Sequence, residues 1–195
     1  MTINELIEGC SKGRHKAQNI LYEKYSARLY GVCRRYTENK TEAQDVLQDA
    51  MVKIYRSISK IDCSDEKPFY AWLHKVTVNT ALNYLRDNQK YSRTLGIDER
   101  EDEPIDEIAE EDFSFYERLV EKVDVAMLLG FIQELPCGYR MVFNLYVIDN
   151  MSHKDIAQEL GISVNTSKTQ LFKAKKMLAC KISASIGVSK IKMVI

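Results

Sequence analysis

The sequence predicts an all-α protein made of two small helical domains joined by an acidic, flexible linker. Apolar residues recur at helical spacing on both sides of the chain's centre, and strand-like alternation is hard to find. Ten of the fifteen residues from Asp98 to Asp112 are acidic, and Pro104 interrupts them. Such a segment has too few apolar residues to form a buried stripe, so we expect a linker there. The predicted bounds are 1–95 and 123–182 for the domains, 96–122 for the linker and 183–195 for a tail.

The balanced net charge of the chain hides an uneven distribution. Residues 1–97 carry 16 Lys and Arg against 11 Asp and Glu, residues 98–124 carry 3 against 13, and residues 125–195 carry 9 against 4. The basic ends could therefore approach a polyanion. The acidic centre, with at most a short helix around Ile105 to Ala109, is either a solvated spacer or a segment that occupies or shields a nucleic-acid-binding surface.

Composition and motifs exclude several classes of protein. With 45% hydrophobic residues, the chain is neither disordered as a whole nor a disulfide-stapled miniprotein. Because no apolar run approaches the roughly 20 residues of a membrane span, we expect a cytoplasmic protein without membrane insertion. The five cysteines form no CxxC pair, the three histidines are scattered, and phosphate-loop and HExxH motifs are missing. We therefore predict no cofactor, no metal site and no enzymatic activity.

The first candidate site lies on a helix predicted from Lys40 to Ile58. Its apolar residues form one stripe that begins at Ala43 and is expected to be buried. The opposite face is polar except for Val52 at its centre. A small apolar centre with a polar rim is typical of a helix that binds another protein, although a lone exposed valine is also common. The residues of this face are Asp45, Gln48, Asp49, Val52 and Arg56.

A second candidate site follows in the segment from Pro68 to Tyr91, in which Pro68 suits the start of a helix. The buried face is expected to change halfway along this helix, which would leave Asn79, Thr80 and Asn83 on its surface. Aromatic rings, amides and cations in one stretch can stack bases, bond base edges and hold phosphates. The alternative is an aromatic core helix with a solvated end.

The most specific local pattern begins at Ser152. Ser152 with Asp155 resembles a capping box, Gly161 ends the short helix that follows, and Ser163 can cap a longer basic helix. These features predict a helix-turn-helix, with a generic helical hairpin as the alternative. The second helix carries polar side chains able to reach base edges or phosphates. They are Lys168, Thr169, Gln170, Lys173 and Lys175.

Three strings of the chain are similar to the conserved blocks of bacterial RNA polymerase sigma factors of the extracytoplasmic-function (ECF) group. The strings are AQDVLQDAMVKIYRSI, PFYAWLHKVTVNTALNYLRDNQKYSR and ELPCGYRMVFNLYVIDNMSHKDIAQELGISVNTSKTQLFKAKKML. The resemblance implies a factor without a catalytic site that binds core RNA polymerase and reads two promoter elements. The implied partners are promoter DNA, the clamp of the largest polymerase subunit, the flap of the second-largest subunit and an anti-sigma factor.

The resemblance also implies a role for each candidate residue. The DVLQD stretch resembles the part that docks on the clamp, and the run from Asp62 to Asn83 resembles the part that melts the −10 element, with Asn79 lining a pocket for a flipped base. Polymerase docking is assigned to Asp45, Gln48, Asp49, Val52 and Arg56. Contacts to the −10 element are assigned to Phe69, Tyr70, Trp72, Lys75, Asn79, Asn83 and Arg86. Contacts to the −35 element are assigned to Thr166, Lys168, Thr169, Gln170, Phe172 and Lys173.

Some residues depart from the family's pattern. A branched apolar residue is usual where Ser167 stands, and Arg is frequent where Gln170, Lys173 and Lys175 stand. Lys cannot make the planar bidentate contact of Arg, so the −35 sequence cannot be carried over. The alternative function is a helix-turn-helix regulator with an N-terminal sensing or dimerisation domain, which would bind duplex DNA tightly without polymerase.

Overall fold

The computed structural model describes residues 1–87 and 124–186, and the regular elements within these ranges are all helical. The chain divides into two compact units, Met1–Gln89 and Lys90–Ile195. The all-α prediction is therefore confirmed. The predicted linker, its short helix around Ile105 to Ala109 and the end of the tail lie outside the described residues, so the predicted domain bounds stay a prediction.

The N-terminal unit contains four α-helices and one short 3₁₀-helix. They are α1 (Ile3–Ser11), α2 (His15–Tyr36), α3 (Lys40–Ser57), the 3₁₀-helix Ile58–Lys60 and α4 (Glu66–Asp87). A capping box between Thr2 and Glu5 starts α1, and the side chain of Asn39 caps α3 by accepting from the backbone N–H of Glu42. Buried side chains from all four α-helices, among them Leu6, Leu21, Ile54 and Leu73, form the core.

Helix α4 differs from its prediction in two respects. It begins at Glu66, two residues before the expected start, so Pro68 is its third residue. The proline is tolerated there because N–H groups of the first turn have no partner within a helix. Thr80, expected on the surface, is buried, and its hydroxyl donates to the carbonyl oxygen of Val76 at 2.8 Å. A threonine that satisfies its hydroxyl within its own helix can be buried at little cost.

The C-terminal unit also consists of helices in its described part. They are α5 (Val125–Gln133), α6 (Cys137–Phe143), a π-helical segment (Asn144–Ile148), α7 (His153–Leu160) and α8 (Val164–Ser185). The core joins α5 and its C-terminal turn to α8 through Ile132, Leu135, Ala174 and Leu178. Helix α8 continues past the expected domain end at residue 182.

The turn between α7 and α8 follows the predicted pattern. Gly161 ends α7 in the left-handed conformation with φ of 67°, and Ser163 caps α8 by accepting from the N–H of Thr166. At the start of α7, Ser152 accepts from the N–H of Asp155, and the Asp155 carboxylate accepts from the Ser152 hydroxyl at 2.6 Å. The shorter Asp side chain thus bonds the hydroxyl instead of the backbone N–H that a capping box would use.

Across the described ranges, none of the helices combines the length and hydropathy that a membrane span requires. The five cysteines are free thiols, and burial raises the pKa of Cys33 to about 12. Among the described residues, no group of three His, Cys, Asp or Glu side chains could hold a metal ion.

Candidate protein and nucleic-acid interfaces

The polar face of α3 is exposed as predicted. Asp45, Gln48, Asp49 and Arg56 are exposed, and Val52 at their centre retains 45% of its accessible surface. The apolar stripe of the same helix is buried, with Val46 and Ile54 at 0%. A valine this exposed among charged and polar side chains leaves an apolar spot that a partner could cover.

The aromatic start of α4 is largely internal. Phe69 is completely buried, with its ring edge-to-face against Tyr25 at 5.6 Å and stacked on Trp72 at 6.1 Å between centroids. The expectation that Phe69 contacts DNA is therefore wrong, because α2 covers its ring. Trp72 is half-buried and keeps part of its surface accessible.

Two cations of α2 lie beside the aromatic residues of α4. The Arg28 guanidinium lies 3.7 Å from the centroid of the half-buried Tyr70 ring, a cation–π contact. Arg35 Nη2 lies 3.4 Å from Nε2 of His74, whose ring is 6.2 Å from that of Tyr70. Neither arginine was predicted from the sequence to be a site residue. Their seven-residue spacing, which places them on one face of α2, was the available signal.

The second half of α4 presents a polar row to solvent. Lys75, Asn79, Asn83 and Arg86 are all exposed and follow one another at spacings of four, four and three residues. Arg86 donates to Oδ1 of Asn83 at 3.0 Å. At about 1.5 Å per residue the row extends over roughly 16 Å. The exposure predicted for Asn79 and Asn83 is confirmed.

The second helix of the helix-turn-helix, α8, carries most of its candidate residues on the surface. Lys168 is exposed, and Thr166, Thr169, Phe172 and Lys173 are partly exposed. Gln170 is only 1% exposed, so the expectation that its side chain reads DNA is wrong. It points toward α6, where a Cβ added to Gly138 would lie 3.2 Å from Gln170 Nε2. The glycine leaves the space that the buried carboxamide fills.

A polar contact joins α7 to α8 beneath this surface. His153 Nδ1 lies 2.9 Å from Oγ of Ser167, which is completely buried. The half-buried His153 ring also stacks on Tyr146 of the π-helical segment, with centroids 4.4 Å apart. Burial, followed by the charges of Lys168 and Lys175, lowers the pKa of His153 below 6.5, so its neutral form predominates at neutral pH.

Comparison with known proteins links both units to one family. The model of Sigma-70 region 2 matches residues 21–91, and that of Sigma-70 region 4 matches residues 126–178. The chain is 29% identical over 185 residues to the ECF RNA polymerase sigma-E factor of Haemophilus influenzae, covering 93% of this chain and 96% of that protein. It is 28% identical over 188 residues to the protein of that name from Escherichia coli K12, covering 95% and 97%. A solved structure of CnrH in complex with the cytosolic domain of CnrY gives a TM-score of 0.44 at 21% identity, covering 95% of this chain and 97% of that chain.

Proposed function

Because the chain belongs to the ECF group of bacterial sigma factors, which direct core RNA polymerase to promoters, we propose that its two units divide this work. The N-terminal unit docks on the polymerase and opens the −10 element. The C-terminal unit reads the −35 element as duplex DNA. The observation that carries this proposal is the exposed Val52 within the polar face of α3, in the unit that also presents the row of amides and cations on α4.

Docking uses the face of α3 formed by Asp45, Gln48, Asp49, Val52 and Arg56, and its target is the clamp coiled coil of the largest polymerase subunit. Val52 supplies the apolar anchor, since one well-packed apolar contact surrounded by polar ones often dominates an interface. The carboxylates of Asp45 and Asp49 on the same face favour cations on the partner. The flap of the second-largest subunit is the proposed target of the C-terminal unit.

Opening of the −10 element uses the exposed row of α4 together with the accessible parts of Tyr70 and Trp72. Asn79 and Asn83 can donate and accept hydrogen bonds with the edge of a base that has left the stack. Lys75 and Arg86, at the two ends of the row, can hold the phosphates of the separated strand. Flipping a base costs a few kcal/mol, which these contacts must offset.

Reading of the −35 element uses the exposed side of α8 in the major groove. Lys168, Thr169 and Lys173 offer donors and a hydroxyl to bases and phosphates, while Thr166 and the partly exposed Phe172 ring offer apolar contacts, for example to a thymine methyl group. Lysine contacts are point charges without the bidentate geometry of arginine. Base discrimination therefore depends more on Thr169 and on the shape of the docked helix than on the lysines.

In this proposal the sigma factor itself catalyses no reaction, since the polymerase performs the catalysis. A factor that acts on core polymerase works in the cytoplasm. We also propose an anti-sigma factor that binds this chain and competes with core polymerase. Displacement of the chain from core polymerase by such a protein is the measurement that tests this partner.

Transcription in vitro with core polymerase and genomic promoter fragments tests the main proposal. We expect specific initiation only when the chain and core polymerase are both present, with start sites downstream of recurring −10 and −35 sequences. A helix-turn-helix regulator would instead bind duplex DNA tightly alone and would not convert core polymerase into an initiating enzyme. That result would contradict the proposal.

A further inference from the structure

Three elements of the C-terminal unit meet at one side chain, that of His153. The residue is the first of α7, and its ring stacks on Tyr146 of the π-helical segment with centroids 4.4 Å apart and planes inclined by 24°. Its Nδ1 lies 2.9 Å from Oγ of Ser167 on α8. The Nζ of Lys175, two turns further along α8, lies 5.9 Å from the centroid of the Tyr146 ring. This series of contacts begins at Ser167 and ends at Lys175, and both residues lie on α8, the helix proposed to enter the major groove.

The hydrogen bond is placed where it can fix that helix. Ser167 is completely buried and lies in the first turns of α8, between the candidate DNA contacts Thr166 and Lys168. Apolar contacts are non-directional, whereas a hydrogen bond restricts both distance and angle. An N···O contact at this point therefore restricts rotation of α8 about its axis, and with it the direction in which Thr166 and Lys168 leave the helix.

Burial makes the contact selective for one arrangement. A buried hydroxyl that loses its partner retains the full cost of its desolvation, so a rotation of α8 that separates Ser167 from His153 is unfavourable. The stack on Tyr146 holds the imidazole from its face, so the ring cannot easily follow such a rotation. The pair thus couples the orientation of α7 to that of α8.

We propose that His153 is a positioning residue for −35 readout, which acts through its hydrogen bond to Ser167 and its stack on Tyr146 to set the orientation of α8 in the major groove. The inference rests on the proposed function of the C-terminal unit. It adds a specificity determinant that does not itself touch the bases. Substitution of the pair is expected to change which −35 bases are preferred, besides changing overall affinity.

The test measures −35 base preference of the holoenzyme on templates that share one −10 element and differ by single −35 base pairs. Ser167→Ala removes one oxygen atom and leaves the rest of the packing intact. His153→Phe keeps the stack and loses the hydrogen bond, whereas His153→Asn keeps an amide near the position of Nδ1 and loses the stack. Lys154→Ala, on the exposed neighbour of His153, is the matched control.

We expect Ser167→Ala and His153→Phe to shift relative affinities among the −35 variants by about threefold or more, in the same pattern, with no further shift in the double variant. His153→Asn should retain most of the wild-type preference, and Lys154→Ala all of it. A preference that stays unchanged in Ser167→Ala, whatever happens to the melting temperature, would overturn the inference and leave the pair a packing feature. Loss of −35 dependence in the wild-type holoenzyme would instead overturn the proposed function.

Discussion

The carboxamide of Gln170 lies against Gly138, so that a Cβ added to the glycine would be 3.2 Å from Nε2 and 3.3 Å from Oε1. Within the described part of the chain, neither of these polar atoms has a hydrogen-bond partner. A polar group buried in this way lowers stability because its bonds to water are not replaced. The packing of α8 on α6 therefore includes an uncompensated polar group.

Replacing Gln170 with methionine should stabilise the C-terminal unit. Gln170→Met keeps a flexible side chain of similar length and removes both unpartnered atoms, so we expect the free energy of unfolding to rise by about 1 kcal/mol. Urea titration followed by circular dichroism measures this change, with Gln158→Met on the exposed surface of α7 as the control. A loss of stability, or an altered −35 preference, would contradict the assignment of Gln170 to the interior.

Val52→Glu should separate folding from polymerase binding. Because Val52 is exposed, we expect helix content and melting temperature to be retained, while binding to core polymerase weakens by at least about 1–2 kcal/mol. Lys53→Gln is a matched control, since it makes the same change in net charge about 100° around the helix. Unfolding of Val52→Glu by circular dichroism would mean that the valine is part of the core.

Asn79→Ala should impair opening of the −10 element and alter its base preference. Asn79 is exposed on α4, where its amide can bond a base only after that base has left the duplex. A promoter with a pre-melted −10 bubble separates the two possible roles. If Asn79 reads the flipped base, a defect specific to base identity persists on the bubble, as we expect. Full rescue by the bubble would limit Asn79 to strand separation, and Asn19→Ala on α2 controls for loss of an exposed amide.

Lys168→Ala should weaken binding at the −35 element by a similar factor for all −35 sequences. We expect contact with phosphate, so the dependence of affinity on salt should become shallower by about one unit of slope. Lys181→Ala removes the same charge from a position of α8 where the lysine pairs with Glu134, and should leave the slope unchanged. Loss of affinity for only some −35 sequences would show that Lys168 contacts a base.

The stability of the C-terminal unit should fall in mild acid because of His153. Its folded-state pKa lies below 6.5, since burial and then the charges of Lys168 and Lys175 disfavour the imidazolium. Between that lowered pKa and 6.5 the unfolded chain binds more protons than the folded one, so stability rises with pH across this window. The stability that depends on neutral His153 is fully present above pH 6.5 and is lost as the pH falls through the folded-state pKa. Urea titrations at about pH 7.5 and about pH 5 measure the change, and His153→Asn should reduce it.

Sequence patterns predicted those features that depend on one helix at a time. The exposure of Val52 and of Asn79 follows from helical geometry, and the turn at Gly161 follows from its flanking caps. The residues whose exposure was wrongly predicted are buried against a neighbouring helix or, like Thr80, satisfy their polar group within their own helix. Phe69 has the residue type of a stacking platform, yet Tyr25 of a distant segment covers it. Helical spacing places Gln170 on the same face as the buried Ala174 and Leu178, but the space for its carboxamide depends on Gly138 of another helix.

The burial of Gln170 limits how many promoter bases the protein can recognise. A side chain that lies inside cannot discriminate bases, so under the proposed function α8 contacts fewer base pairs than the row of candidate residues along it suggests. Each base pair left undetermined multiplies the number of matching genomic sites by about four. Under the proposed function, we therefore expect a −35 consensus with fewer determined base pairs than the length of α8 would allow.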